Sequence, residues 1–387
     1  MLTIQALLTL VPFVLAAPLI QPRAAETIPG KYIVVLKPNG PSAGEIFADL
    51  AGGALASVRR ERTYDLGGFK GFAASLSDAQ VEALKGDSKV AYIEADGIAH
   101  TQAAITQSDA PWGLGRISHR SKGVSDYAYD TSAGEGTCAY IVDTGIYAEH
   151  PEFEGRATFV KDVAGSATTD DNGHGTHVAG TIGSRSYGVA KKTKLYGIKV
   201  LDSSGSGAWS DIVTGIQLAV SHSKTQSCPK GVVVNMSLGG GKQQSVNDAV
   251  AAAVDAGLFF AVAAGNDGQD FSSTSPASEP KAFAVGASDV NDKLASFSNY
   301  GRTLGVIAPG VNVLSTWNDG GNNTISGTSM ATPHVAGLGA YLLGLSGPLT
   351  PAQLKSKIQS SATSGAISIT YPASLGTPNK LAYNGIS

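Results

Sequence analysis

Hydrophobic and polar positions follow two rhythms along this chain. Between residues 31 and 98 they outline a small α+β unit. Lys31 to Lys37, Phe69 to Leu76 and Val90 to Glu94 are short apolar runs, which predicts strands. A polar stretch near Ala43 to Leu55 and the segment Asp78 to Leu84 are predicted helices, the second with Ser77 as its N-cap. Residues 97–110 are small and polar, as linkers are.

From residue 137 the rhythm changes. Apolar runs at 137–142, 195–200, 232–236, 258–262, 282–285 and 305–308 predict strands. Helical stretches at 175–183, 211–223, 245–256 and 328–345 alternate with them. Strands without polar alternation are covered on both faces, and strand–helix alternation makes a parallel sheet. The expected class is α/β, preceded by a small α+β domain. Ligands in such folds sit at the carboxyl ends of the strands.

Residues 2–17 form an apolar run too short to span a bilayer comfortably, and near its end Val14-Leu15-Ala16 puts small residues at the positions a signal peptidase reads. A signal peptide over residues 1–16 and secretion are expected. No other segment is apolar enough for a membrane anchor. Lys and Arg number 28 against 31 Asp and Glu, for a net charge of −3, so a nucleic-acid partner is not expected. The 48 glycines among 387 residues imply many tight turns. Two cysteines, Cys138 and Cys228, exclude a four-cysteine zinc site and a disulfide-dense scaffold. In an oxidising compartment they can pair, and as buried thiols they can equally stay free.

Three motifs fall at predicted strand ends or helix starts. Asp143 follows the strand TCAYIV, in Asp143-Thr144-Gly145. His174 lies in Asn172-Gly-His-Gly-Thr-His177. Ser329 lies in Gly327-Thr-Ser-Met-Ala331, at the start of a long apolar helix. A serine hydroxyl is a poor nucleophile until an imidazole takes its proton, and the imidazole must be held in one tautomer by a carboxylate. A helix N-terminus adds a backbone N–H beside the reacting carbonyl. Asn266, in Ala263-Ala-Gly-Asn266, adds an amide donor past another strand end. Taken singly, Asp143 suits a turn, His174 a structural histidine and Ser329 a helix cap. Together, with glycine-rich flanks, they form a nucleophile relay.

Other chemistries fit less well. An aspartic protease needs two carboxylates sharing a proton, and no second Asp-Thr-Gly or Asp-Ser-Gly occurs. A zinc hydrolase needs a glutamate between its histidines, whereas Gly175 and Thr176 separate His174 from His177.

The motifs closely resemble those of the subtilisin family of serine proteases, in the order Asp, His, Ser that subtilisin shows. The likeness is greatest to the proteinase K-like branch, which includes secreted fungal cuticle-degrading proteases. It runs from about Ala104 to the C-terminus and is supported by Ala110-Pro-Trp-Gly-Leu-Gly-Arg116, His150-Pro-Glu-Phe153 and Ser296-Phe-Ser-Asn-Tyr-Gly301. Residues 31–96 resemble the family's inhibitory propeptide. A secreted binding protein on a dead protease scaffold is a further class, but no triad member and no Asn266 is lost.

The resemblance implies a parallel-sheet, three-layer, subtilisin-like catalytic domain over 104–387, behind a propeptide domain over 17–103 that is cut autocatalytically near Thr101 to Ala104. It implies Ser329 as nucleophile, His174 as base and Asp143 as its orienter. Asn266 and the Ser329 N–H would form the oxyanion hole. Ser237, Leu238, Gly239 and Gly240, with Ala263, Ala264 and Gly265, would line the pocket for the residue before the cleaved bond. Ser204, Gly205, Ser206 and Gly207 would pair with substrate as an added strand. Those stretches carry no charge, so apolar or aromatic residues are expected there. Expected partners are protein substrates and the chain's own propeptide, and a monomer is the default. Cys138 and Cys228 match a family disulfide. Val178 and Phe283 stand where relatives carry further cysteines. Gly305 stands where proteinase K has a calcium carboxylate, which leaves the carbonyls of Pro280 and Ala282; no cofactor is required, and at most weak calcium binding is expected. Asn322-Asn-Thr324 is a glycosylation sequon; a second, at Asn235, falls on an expected buried strand.

Overall fold

The structure is a computed structural model, and it describes residues 16–21, 27–38, 44–45, 58, 60–98, 104–165 and 167–386. All but the last residue of the expected signal peptide, most of the helix expected near 43–55 and most of the expected cut site at 101–104 lie outside the described residues. The chain divides into two compact units, Met1–Thr101 and Gln102–Ser387.

The first unit holds β1 (Leu19–Ile20), β2 (Thr27–Leu36), β3 (Arg60–Leu66), β4 (Phe69–Ser75), α1 (Asp78–Lys85) and β5 (Val90–Gly97). Its strands form one sheet in the order β1-β5-β2-β4-β3. Val81 and Leu84 of α1 pack with Val34, Leu36, Phe72, Ala74 and Ile93 in one core. The Ser77 N–H donates to Gln80 Oε1 at 2.8 Å and closes the start of α1. The pattern of apolar residues did not predict β3. Its sequence, RERTYDL, is polar because it is an edge strand, paired among the described residues only with β4.

In the second unit, β6 (Ala104–Gln107), α2 (Trp112–Ser118) and β7 (Tyr127–Asp130) come first. Then follow β8 (Thr137–Asp143), β9 (Ala157–Asp162), α3 (His174–Gly183), β10 (Lys194–Lys199), α4 (Trp209–Ser223) and β11 (Gly231–Met236). After the short β12 (Gly240–Gly241) come α5 (Gln244–Asp255), β13 (Phe259–Ala263), β14 (Thr274–Ser275), β15 (Phe283–Ser288) and β16 (Val306–Pro309). The hairpin β17 (Val313–Thr316) and β18 (Asn322–Ile325) precedes α6 (Thr328–Ser346), α7 (Pro351–Ser361), β19 (Thr363–Ser364) and β20 (Lys380–Leu381). Nine strands form the central sheet, in the order β19-β20-β16-β15-β13-β11-β8-β10-β9. Its pairs are parallel except β19 with β20.

Side chains alternate across this sheet. Ala139, Ile141, Val233, Phe259 and Ala261 enter one core with α3 and α6. Tyr140, Val142, Val234, Phe260 and Val262 enter the other with Ile212 and Ile216 of α4 and Val246 and Val250 of α5. The sheet is therefore the middle of three layers, and its inner strands have no wet face to show as polar alternation. Helix α7 was not among the expected helices, although its sequence announces it. Pro351 opens it, and Thr350 and Gln353 form its capping box. Among the described residues no helix is long and apolar enough to cross a membrane.

The chain leaves β8, builds β9 and β10 on one side, and then crosses to β11 on the other. A crevice opens where the strand order diverges in this way. Asp143 closes β8, Lys199 closes β10 and Ser237 follows β11.

Cys138 and Cys228 are bonded to each other, with Cα atoms 5.5 Å apart and a sequence separation of 90. Val178 and Phe283 are buried apolar residues, and Phe283 packs on Phe259 with ring centroids 5.6 Å apart. Replacing both cysteines by alanine is expected to lower the unfolding free energy by about 4–5 kcal/mol, the chain-entropy value for so long a loop. An unchanged denaturation midpoint for the purified variant would reject this.

Candidate active site

Asp143 is fully buried, and its Oδ1 lies 2.7 Å from Nδ1 of His174. The Thr144 N–H donates to the same oxygen at 2.7 Å. The His174 side chain keeps 25% of its surface, so its far edge faces the crevice. Burial opposes protonation of the ring, but the charge and hydrogen bond of Asp143, helped by the charge of Asp170, prevail and raise its pKa above the ordinary value.

His174 is the first residue of α3. Gly173, at φ 108°, makes the turn into it, and a Cβ at Gly175 would run into the Gly145 carbonyl. Asp170 fixes this helix start. Its carboxylate accepts from the N–H groups of Asn172, Gly173 and Thr176 and from the hydroxyls of Thr144 and Thr176, at 2.6–3.1 Å. Burial acts to raise its pKa, but the N–H groups of Gly173, Thr176 and Asn172 and the Thr176 hydroxyl lower it below the ordinary carboxylate value. The buried Lys199 ammonium ties the same corner together. It donates to Thr144 O at 3.1 Å, Leu201 O at 2.6 Å and Asp171 Oδ1 at 2.6 Å.

Ser329 lies in the first turn of α6. Pro333, four residues on, has no N–H for the Ser329 carbonyl. Ser237 Oγ fills that role and donates to Ser329 O at 2.8 Å. Behind it, Nδ2 of the buried Asn235 donates to Ser237 Oγ at 2.8 Å. In return, Ser329 Oγ donates to Ser237 O at 3.1 Å. The structure thus shows Ser329 turned to Ser237 rather than hydrogen-bonded to His174.

Asn266 is oriented by Thr328, whose N–H and hydroxyl donate to its Oδ1 at 2.8 and 2.9 Å. With Oδ1 engaged, Nδ2 is the group free to donate outward. A Cβ at Gly327 would stand 3.6 Å from both Asn266 Nδ2 and Ser329 N. Both N–H donors thus lie close to Gly327, beside the start of α6.

A cleft of about 550 Å³ runs past His174. Ser204–Gly207 and Trp209 line it together with Ser237, Leu238 and Gly239. Residues 206–208 and 237–239 lie outside any strand ladder, which leaves backbone groups for an added strand. Asp202 braces the first edge by accepting from Ser204 N, Ser204 Oγ and Ser206 N. Gly240 pairs with Ser275 in the ladder of β12 and β14. Ala263, Ala264 and Gly265 lie outside this cleft's lining; the Gly265 N–H donates to Thr328 Oγ1 at 3.2 Å, beside the start of α6.

Asp170, Lys199, Thr328 and Asn235 were absent from the expected site. Asp170 carried a signal, an acidic residue just before a helix start. The carbonyls of Pro280 and Ala282, which the resemblance assigns to weak calcium binding, both accept from Lys355 Nζ. Asn235 is wholly buried, whereas Asn322 is exposed on the β17–β18 hairpin.

Residues 134–383 match the subtilase family model, and residues 31–102 match the peptidase inhibitor I9 model. A cuticle-degrading protease of Metarhizium anisopliae is 53% identical over 393 residues, covering 99% of each chain. Proteinase R of Parengyodontium album is 50% identical, over 95% of this chain and 92% of its own. The solved structure of a cold-adapted subtilisin-like serine proteinase is similar with a TM-score of 0.67 and 42% identity, over 72% of this chain and 99% of that one. The chain belongs to the subtilase family of serine proteases, with an I9 inhibitor segment ahead of its catalytic segment.

Proposed function

We propose that this protein is a secreted endopeptidase, made as a self-cleaving zymogen, that cuts after apolar or aromatic residues through Ser329, His174 and Asp143. The observation that carries this reading is the 2.7 Å contact between a wholly buried carboxylate and the Nδ1 of a ring whose far edge faces the cleft. Ser329 turns about χ1 from Ser237 O to His174 Nε2, which takes the hydroxyl proton as Oγ attacks the substrate carbonyl. Asp143 holds the ring's other proton and stabilises the imidazolium. The oxyanion accepts hydrogen bonds from Asn266 Nδ2 and Ser329 N. The ring then gives its proton to the leaving amine, leaving an acyl-enzyme. Water, deprotonated by the same ring, releases the acid.

Substrate would lie extended between 204–207 and 237–239. The absence of charge on Ser237, Leu238 and Gly239, which line the cleft, supports an apolar residue before the cleaved bond. Residues 1–16 would direct secretion, residues 17–103 would inhibit until removed, and Asn322 would be the glycosylation site. A peptide-library profile, with active enzyme counted by a serine-directed phosphonyl fluoride, tests the reading. Apolar and aromatic residues should dominate before the cut; a profile led by Lys or Arg, or no labelling at Ser329, would sink it.

The raised pKa of His174 sets a pH dependence. Only the neutral ring can take the serine proton, so activity is lost as pH falls through that pKa. The acid limb of kcat/KM is expected to have its midpoint above about 6.5, the ordinary imidazole value. A midpoint below 6 in a pH series on a neutral substrate would contradict the Asp143 contact.

A further inference from the structure

We propose that the ammonium of Lys355 permanently replaces a structural calcium ion in this protein. The resemblance to proteinase K assigns the carbonyls of Pro280 and Ala282 to a calcium, with a carboxylate at the position of Gly305. Lys355 projects from α7, and its Nζ donates to Pro280 O at 2.9 Å and to Ala282 O at 3.2 Å. Both carbonyls that would bind the metal therefore already bind a cation of the chain itself.

The third ligand is closed off as well. Gly305 has no side chain, and a Cβ built there would meet three atoms of the Phe283 ring at 2.8–2.9 Å. The Gly305 carbonyl accepts from Gln359 Nε2 at 3.2 Å, one turn beyond Lys355 on α7. The Lys355 ammonium also stands 5.8 Å from the Phe283 ring centroid, within cation–π range. Glycine, phenylalanine and lysine thus act together. Phe283 occupies the carboxylate's direction, Gly305 makes room for the ring, and Lys355 supplies positive charge to the two carbonyls.

Physical chemistry favours the exchange. Calcium held by two carbonyls and no carboxylate binds weakly, because its dehydration is not offset by a charged ligand. An ammonium carries three donors and suits carbonyl acceptors near 2.9 Å. Being tethered, it does not dissociate, and no chelator removes it. Burial lowers the Lys355 pKa while the charge of Glu279 acts to raise it. The result is a strap from α7 to the segment that enters β15, and it is independent of metal supply.

Two measurements on the purified enzyme test this. Crystals soaked in ytterbium ions should show no anomalous peak between the Pro280 and Ala282 carbonyls. Lys355→Met should lower Tm by roughly 3–6 °C, the effect of leaving two carbonyls without their donor in a domain of this size. That loss should be equal in chelator and in millimolar calcium. A ytterbium peak between those carbonyls in the wild-type enzyme, with Lys355 displaced, would overturn the proposal. So would a Lys355→Met variant whose Tm stays within 1 °C of wild type. If Lys355→Met does not fold, the wild-type soak still decides, and Lys355→Arg, which keeps charge and donors, should melt close to wild type.

Discussion

Ser329→Ala is expected to reduce kcat by about 10⁶-fold and to leave the chain as an uncut precursor. The size of the first effect follows from the relay. Without Oγ, His174 and Asp143 have no hydroxyl to activate, so the unit fails as a whole, and only oxyanion stabilisation and binding remain. Stability should change little. The lost hydroxyl makes one hydrogen bond, to Ser237 O at 3.1 Å, and Ser237 Oγ still donates to the Ser329 carbonyl. The second effect follows if the cut near Thr101 to Ala104 is made by the enzyme itself. Ser329→Ala precursor should then keep its I9 segment joined to its subtilase segment, and added wild-type enzyme should release it. Isolated 17–103 should inhibit the mature enzyme. Near-wild-type activity would end the Ser329 assignment. A purified variant that still loses its N-terminal segment unaided would end self-cleavage.

What the sequence disclosed depended on whether a residue's surroundings are local. The strands β8, β11 and β13 were legible as unbroken apolar runs because helices cover both faces of the sheet. β3 and β9 were not, since edge strands keep polar residues and look like loops. Asp143, His174, Asn266 and Ser329 were legible because each sits in a short glycine-flanked motif whose backbone constraints are local. Asn235 gave no such sign. Its contact with Ser237 is local, but its importance arises from Pro333 on a distant helix, which leaves the Ser329 carbonyl without a donor. Lys355 acts on backbone carbonyls, as Lys199 does at Thr144 and Leu201, and a carbonyl exists at every residue, so no side-chain pattern marks these targets. The partners of Lys355 lie 75 and 73 residues away.

Asn266→Ala is expected to lower kcat by about 10²–10³-fold while KM changes little. The split follows from when the bond forms. In the proposed mechanism, charge develops beside Asn266 Nδ2 and Ser329 N only as Oγ adds to the carbonyl, so the contact would be stronger in the transition state than in the bound substrate. Asn266→Asp separates this role from simple packing. The new carboxylate is nearly the same shape and can still accept from the N–H and hydroxyl of Thr328, which hold Oδ1 at 2.8 and 2.9 Å. Its second oxygen would then stand where Nδ2 stood, presenting negative charge to the oxyanion. The aspartate variant should therefore fold as well as wild type and be no more active than the alanine variant. Thermal melting and steady-state kinetics on one ester substrate decide the matter. An Asn266→Asp enzyme with more than a tenth of wild-type kcat would show that Nδ2 does not face the developing charge.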